Sequence, residues 1–532
     1  MGRITTFLVA WVVLLGTTQF TCVSGRAEPQ PARPPIAAEQ DGTNALFAEG
    51  EEWRRKGDYQ KALEKYTAVI QRDEDYANAY FRRGYIWLVQ REFEKALADS
   101  ERLIQLAPNA ALSYWLRGAV YGDQGELDRS FADYNEAIRL DPELETAYYG
   151  RGLIHAARGN KQEALKDWRK CLSLAPDFWD AYMSRAELWS KLGGTKKAVS
   201  DYDMVLRSKP DNAEAFYYRG QNRFKLGDHE GAIADLNSSL RAEPRNANAY
   251  YVRGGMRQEL GQLDKALTDF EAATALDSQL WLAYKGQSEI HLARGENRLA
   301  VDDLSNVIRL NPSHKAAYVE RAVAWHELKD FDKAIADYSY LLKIEVEPVK
   351  RAAFYAGRGV CWSEKSEHKK AVADYTEAIR MDGDDYLYYG ARASSWDSLL
   401  EFEKALNDCD AGLRLNPNSP QLYTERGKIL GHVLAYDKGI LDLTTAIEID
   451  PNFADAYYHR GVLYCAQERY ATAIPDYTRA IELQPDNWVF YFARSAAYSL
   501  SDQDELAKAD EIKAEQLGKP AALSIKPQAN GE

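Results

Sequence analysis

Along most of this chain apolar residues recur three and four apart, in short stretches separated by polar breaks. The stretch from Ala454 to Pro485 shows the pattern in full. It opens Ala456-Tyr457-Tyr458-His459-Arg460-Gly461, runs through Tyr464 and breaks at Glu468-Arg469. It resumes with Tyr470, Ala473-Ile474, Asp476-Tyr477, Ala480-Ile481 and Leu483, and stops at Gln484-Pro485. Spacings of three and four are the period of an amphipathic helix. Proline lacks the amide hydrogen and its ring clashes with the preceding turn, so it ends the second element. The stretch therefore predicts two short helices joined by a tight turn.

The pattern repeats. Steps of 34 residues back from Asp476 land on Asp442, Asp408 and Asp374, and one step of 37 reaches Asp337. Further steps of 34 give Asp303, Asp269, Asp235, Asp201, Asp167, Asp133, Asp99 and finally Lys65, and one step forward gives Asp510. Fourteen copies of one unit hold this register, thirteen of them with Asp at position twenty-three. Self-similarity at a fixed short period is the mark of a repeat architecture, in which neighbours bury one another's apolar faces. Position eight is small throughout, as at Gly50, Gly84, Gly152, Ala186 and Ser288, which lets the two helices of a unit approach closely. Position twenty is Ala in most units, position four is Tyr in twelve, and position thirty-two is Pro in nine.

The unit resembles the tetratricopeptide repeat, over Thr43 to about Ala521. The resemblance implies an all-α fold: a right-handed α-solenoid superhelix of about fourteen helix-turn-helix repeats, its concave face lined by the first helix of each unit. It also implies binding of peptides or other proteins. The carboxylate clamp of chaperone-binding members needs Lys and Asn at positions five and nine of one unit. Lys285 occupies position five, but position nine is then Glu289, and no unit matches.

Within the family, position five projects into the groove, and here it varies. It reads Phe47, Phe81, Trp115, Tyr149, Met183, Tyr217 and Tyr251, then Lys285, Val319, Ala356, Gly390 and Thr424, before Tyr458 and Phe492. The aromatic members, Phe47, Phe81, Trp115, Tyr149, Tyr217, Tyr251, Tyr458 and Phe492, are the candidate partner-binding residues, because exposed aromatic surface marks interaction sites. The alternative is that these rings stack on one another along the array.

Arg at position seven of twelve units, with Asp at position twenty-three, makes a periodic charge array. Residues that recur in every unit serve the framework, so an ion-pair ladder is expected rather than an anion site. The first unit indicates its wiring. There the two positions are Glu49 and Lys65, both signs reversed together, so the pairs should join the two helices of one unit.

Three irregularities stand out. The three extra residues fall at Glu345-Val346-Glu347-Pro348 and just after, through Arg351, where a change of pitch or a hinge is expected. Pro475 falls about four residues into a second helix, where the lost amide is tolerable. The last unit carries Glu511 and Glu515 where the unit before has Tyr477 and Ile481, the polar cap that a solenoid end requires.

Composition sets the remaining limits. The formal charge of −14 disfavours nucleic acid as a partner, because phosphate backbones are repelled. The units fill the chain except for 42 residues before and 11 after, which leaves no room for an appended catalytic domain. Arg3, the apolar run Phe7 to Leu15, and the small residues Gly25 and Ala27 read as a signal peptide over residues 1–27, cut before Glu28. The rival is an uncleaved membrane anchor over Ile4 to Gly25. Residues 28–42, with four prolines, read as an extended linker, 43–521 as the array, and 522–532 as a disordered tail. Cys171, Cys361, Cys409 and Cys465 have no C-x-x-C spacing and read as packed thiols. His326-Glu327 lacks the second His of a zinc-protease motif, and Gly193-Gly194-Thr195-Lys196 lacks the glycine spacing of a phosphate loop. No metal or cofactor is implied. The expectation is an exported, non-catalytic scaffold, periplasmic or extracellular, that binds protein or peptide partners. The alternatives are a membrane-anchored envelope-assembly factor and a non-catalytic subunit of an enzyme complex.

Overall fold

The protein is described by a computed structural model covering residues 42–520. The expected signal peptide, all but the last residue of the linker, and the tail lie outside the described residues. Within them the chain forms 28 α-helices and no strand. They alternate with the predicted register: Ala77–Val89 is followed by Phe93–Leu106, Ala111–Asp123 by Leu127–Leu140, and so on to Trp488–Ser499 and Asp504–Gln516. The helices fall into two compact units, one ending at Leu276 and the other beginning at Asp277. Each holds seven helix pairs, here called repeats 1–7 and 8–14.

The local causes are visible in each pair. The turn between the two helices needs one residue at positive φ, which Gly adopts without steric cost. Gly57, Gly125, Gly159, Gly193, Gly227, Gly261 and Gly295 supply it, while Arg91, Lys329, Ser366, Leu400, Leu434, Glu468 and Asp502 adopt it despite a side chain. Second helices are capped where an Asp precedes them: Lys61 N donates to Asp58 at 3.1 Å and Gly231 N to Asp228 at 3.0 Å. The small residue at position eight is required by packing. A Cβ on Gly152 would stand 2.5 Å from Nε1 of the buried Trp168, whose indole donates to the Tyr149 carbonyl.

Packing buries the apolar stripe of every helix. In the first unit one continuous core runs from Ala62 to Leu188, with Tyr66, Tyr134 and Trp168 fully enclosed. In the second, a core from Val301 to Cys361 passes through the irregular segment. The three extra residues lengthen a helix there: Pro348–Glu364 has 17 residues, against 13 in the equivalent helix one repeat later. Pro348 starts it, where a missing amide costs nothing. The Val346 and Glu347 amides donate to Glu345 Oε1, Lys315 Nζ lies 3.1 Å from Glu345 Oε2, and Arg351 donates to the Leu342 and Glu345 carbonyls. The insertion therefore extends a helix rather than a loop, and these bonds brace the segment where a change of pitch or a hinge was expected.

The charge array is a ladder within repeats. All twelve position-seven arginines fork onto the Asp of their own repeat, with Nε and Nη2 at 2.6–3.0 Å from its two oxygens. In repeat 1 the reversed pair, Lys65 and Glu49, closes at 2.5 Å. In repeat 8, where position seven is Gln287, His291 Nδ1 meets Asp303 at 2.8 Å. The third arm of most arginines crosses to position twenty-five of the preceding repeat, as Arg151 does to Asn135 at 2.7 Å and Arg460 to Thr444 at 3.1 Å. One residue type therefore ties helix to helix and repeat to repeat.

Two further details refine the sequence reading. Pro475 is the sixth residue of its helix, Tyr470–Leu483, two positions deeper than expected, so the helix forgoes one internal hydrogen bond. At the last repeat Glu511 pairs with Lys519, which folds back with its ammonium 4.7 Å from the Phe492 ring.

Candidate functional site

A repeat framework of this kind leaves function to the positions that differ between units, and on the first helices those are positions two, five, nine and thirteen. The structure places the position-five rings inside the packing. Phe81 is 2 % exposed, Tyr251 3 %, Trp115 and Tyr149 6 % each. Phe81 and Trp115 lie 6.3 Å apart, Tyr149 meets Phe178 at 5.1 Å, and Tyr251 meets Phe270 at 6.0 Å. Phe47, Tyr217, Tyr458 and Phe492 are half-buried. Phe47 packs on Tyr66 and Tyr76, Tyr217 on Tyr218, Tyr458 on Tyr477 and Phe490, and Phe492 sits beneath Lys519. Phe81, Trp115, Tyr149 and Tyr251 are thus enclosed between helices, whereas Phe47, Tyr217, Tyr458 and Phe492 keep part of their surface accessible.

The accessible surface of the first helices includes apolar residues such as Val323 and Leu387 and a set of charged ones. In repeats 5 to 7 the charged set includes Glu187, Glu214, Lys225 and Glu259, of which the last three are exposed. Their ionisation is nonetheless perturbed by the protein around them. Desolvation raises the pKa of Glu214 and of Glu259 and lowers that of Lys225. Desolvation, then the charge of Glu214, pushes Glu187 up to about 7. Neighbouring protein atoms thus take part of the water from each of these groups, although three of them stay exposed.

The second unit carries two further clusters. Lys285 binds Glu289 and Glu320, each at 2.9 Å. Burial works against its charge, but the two carboxylates outweigh it and the pKa rises. Lys285 is thus a satisfied cation. In repeats 11 to 13, His432 bonds Asp397 at 2.7 Å and Lys428 bonds Glu425 at 2.8 Å. Burial first, then the Lys428 and His432 charges, push neighbouring His459 down to about 3, so its ring is neutral at physiological pH.

Cys171, Cys361 and Cys409 are buried thiols in separate repeats, and Cys465 is half-buried. Among the described residues no group of His, Cys, Asp or Glu could hold a metal ion, and no helix is long and apolar enough to cross a membrane. The partly desolvated carboxylates Glu187 and Glu214 were missed from sequence, since a Glu on a first helix reads as ordinary helix surface. The available signal was Glu187 and Glu214 at positions nine and two of successive repeats, a like-charge pair that the helix register brings together.

Comparison with known proteins gives one family. A tetratricopeptide-repeat model matches residues 47–111, 190–247, 217–280 and 286–345; a second matches 146–178 and 454–487, and a TPR-repeat model matches 121–159. No curated protein matches. Among solved structures, YrrB, a TPR protein with an unusual peptide-binding site, shares 22% identity over 35% of this chain and 97% of its own, with a TM-score of 0.33. The APC/C hetero-tetramer Cut9–Hcn1 shares 13% over 91% and 95%, with a TM-score of 0.38. MamA shares 23% over 31% and 96%, with a TM-score of 0.27.

Proposed function

Because its helix pairs are tetratricopeptide repeats, we propose that this chain is a non-catalytic scaffold that binds a protein or peptide segment along its first helices. The observation that carries this reading is the division of labour between positions. The recurring residues close on one another: each position-seven Arg is consumed by its own Asp, and the position-five rings Phe81, Trp115, Tyr149 and Tyr251 are buried in packing. The repeat-specific residues Glu187, Glu214, Lys225 and Glu259 lie on first helices of the first unit, partly desolvated by their neighbours and still reachable. A row of unlike, chemically distinct side chains suits an extended partner that presents a different group to each repeat.

The test is photo-crosslinking from single sites in the full chain. Probes at Lys225 and Glu259 should capture a protein, and probes at Lys166 and Glu230, on second helices, should not. Capture from the second helices alone would reject the reading.

The export reading rests on residues 1–27, where Arg3, an apolar run and small residues follow one another. On this reading the partner is met outside the cytoplasm. Cell fractionation with N-terminal sequencing tests it: a mature chain beginning at Glu28 supports secretion, an intact Met1 in the membrane fraction supports the anchored alternative, and an intact chain in the cytosol rejects both.

A further inference from the structure

Repeats 1 and 5 share a pair that the other units lack: Glu at position nine with Tyr at position twenty-four. In repeat 1 the pair is complete. The Tyr66 hydroxyl donates to Glu51 Oε1 at 2.5 Å. Arg54 donates to both Glu51 oxygens, at 3.3 and 3.1 Å, and Arg82 Nε, from the next repeat, lies 3.1 Å from Oε1. Burial works to raise the Glu51 pKa, yet the Arg54 and Tyr66 hydrogen bonds and the Arg82 charge bring it below the ordinary value. The site is a buried-edge carboxylate satisfied by one phenol and two guanidiniums.

In repeat 5 the same pair is Glu187 and Tyr202, and both guanidiniums are gone. Ser190 stands at the place of Arg54, and Tyr218 at the place of Arg82. Tyr202 is 0 % exposed and its hydroxyl has no hydrogen-bond partner. Glu187, Tyr218 and Glu214 are the groups that act on that hydroxyl most strongly. The Tyr218 ring stacks on Tyr202 at 6.2 Å and 18°, closing one side. Among the described residues Glu187 forms no ion pair; the cation that acts on it is Lys191, one turn along the same helix. Where repeat 1 has one carboxylate and two guanidiniums, this place has two carboxylates, an unsatisfied phenol and neither guanidinium.

We propose that the Glu187–Tyr202–Glu214 cluster of repeats 5 and 6 is a receptor for a guanidinium, the side chain of an arginine on a bound protein segment. The inference rests on the scaffold reading and gives that partner its chemistry. Repeat 1 shows which group completes the pair. A guanidinium presents five donors in a planar fork, enough to serve two carboxylates and a phenol oxygen together. The Tyr217 ring meets Tyr218 edge-on at 5.1 Å, so aromatic rings border the carboxylates. The chain's net charge of −14 steers basic segments toward it. An uncharged hydrogen-bond donor would leave both carboxylates uncompensated. Binding deepens as pH rises, because Glu187 must ionise to pair; Glu214, Lys191, Tyr202 and Tyr218 are the titratable groups around it.

The test uses the full chain and a blocked Gly-Gly-Arg-Gly-Gly peptide, with its citrulline counterpart as the neutral isostere, followed by NMR saturation transfer at pH 8. The arginine peptide should bind, and the citrulline peptide should bind at least about tenfold more weakly, since charge-assisted pairing is lost. Glu187→Gln and Glu214→Gln should each weaken the arginine peptide by about tenfold, with unchanged circular dichroism. Glu214 is exposed, so its variant keeps the fold. Tyr218→Arg, which copies Arg82, should fill the place from within and abolish binding. Glu230→Gln, on an exposed second helix, should change nothing. Equal binding of the two peptides, or equal weakening by Glu230→Gln and Glu187→Gln, overturns the proposal. Crosslinked partners retained unchanged by Glu187→Gln would also overturn it while leaving the scaffold reading intact. Glu187-dependent arginine binding with no protein captured along the first helices would do the reverse.

Discussion

Arg219 and Asp235 face each other across the two helices of repeat 6, with paired hydrogen bonds of 2.9 and 2.6 Å, and the third arm of the same guanidinium reaches Asp203 of repeat 5 at 2.6 Å. Arg223 adds a second guanidinium to Asp235 at 3.0 Å. Asp235 is 3 % exposed. Its charge is therefore compensated by geometry rather than by water.

Asp235→Ala leaves two guanidiniums without their main partner. The expected cost is about 3–5 kcal/mol, the range for breaking a buried pair from one side. The Glu49–Lys65 pair of repeat 1 is half exposed, and Glu49→Ala should cost well under about 1 kcal/mol. Hydrogen exchange resolved by repeat is the appropriate measurement, because an array of neighbour-only contacts does not unfold in two states. Unchanged protection in repeats 5 and 6 of Asp235→Ala would reduce the ladder to ornament.

Arg185 lacks the crossing bond that most of its equivalents make. At position twenty-five of the preceding repeat stands Arg169, a like charge, where Arg151 finds Asn135 and Arg460 finds Thr444. Arg169→Thr should supply the acceptor and remove the repulsion, stabilising the seam between repeats 4 and 5 by about 0.5–1.5 kcal/mol. Slower exchange in those two repeats is the expected readout, and no change would mean that the crossing arm contributes nothing.

Trp115 separates packing from recognition. At 6 % exposure and in contact with Phe81 and Tyr85, it belongs to the core of the first unit. Trp115→Ala should destabilise repeats 2 and 3 by about 3–5 kcal/mol. A variant that loses a partner while keeping full exchange protection would return this ring to the binding surface.

Glu187 gives a pH signature. Burial and Glu214 raise its folded-state pKa to about 7 from an ordinary 4.5. The folded chain then holds a proton that the unfolded chain gives up between those values. The stability it contributes is present below about pH 4.5 and is lost as pH rises through 7. Wild-type stability should fall across this window by at most about 3 kcal/mol more than that of Glu187→Gln, read as the difference between their Tm values at pH 5 and pH 8. Parallel profiles for the two chains would mean that Glu187 is freely hydrated.

The sequence by itself determined the helix pairs, their register and the wiring of the ladder. These follow from short-range causes. Apolar spacing, a positive-φ turn and a small residue at position eight repeat in every unit, and Pro closes nine of the fourteen, so each copy corroborates the others. The sign reversal at Glu49 and Lys65 was enough to assign each Arg to its own repeat. The depth of Pro475 and the nature of the segment at Glu345 were less legible, because a few residues can extend a helix or a loop, and only packing against Lys315 and Leu342 chose the helix. Which first-helix residues stay reachable was decided by tertiary structure alone. Position five was occupied by rings in both the buried and the open reading, and the seam between neighbouring helices is what encloses Phe81 and Trp115. The same seam brings Glu187 up to Glu214 and leaves Tyr202 without a partner, since the two carboxylates lie on different repeats and repel only once those repeats are packed.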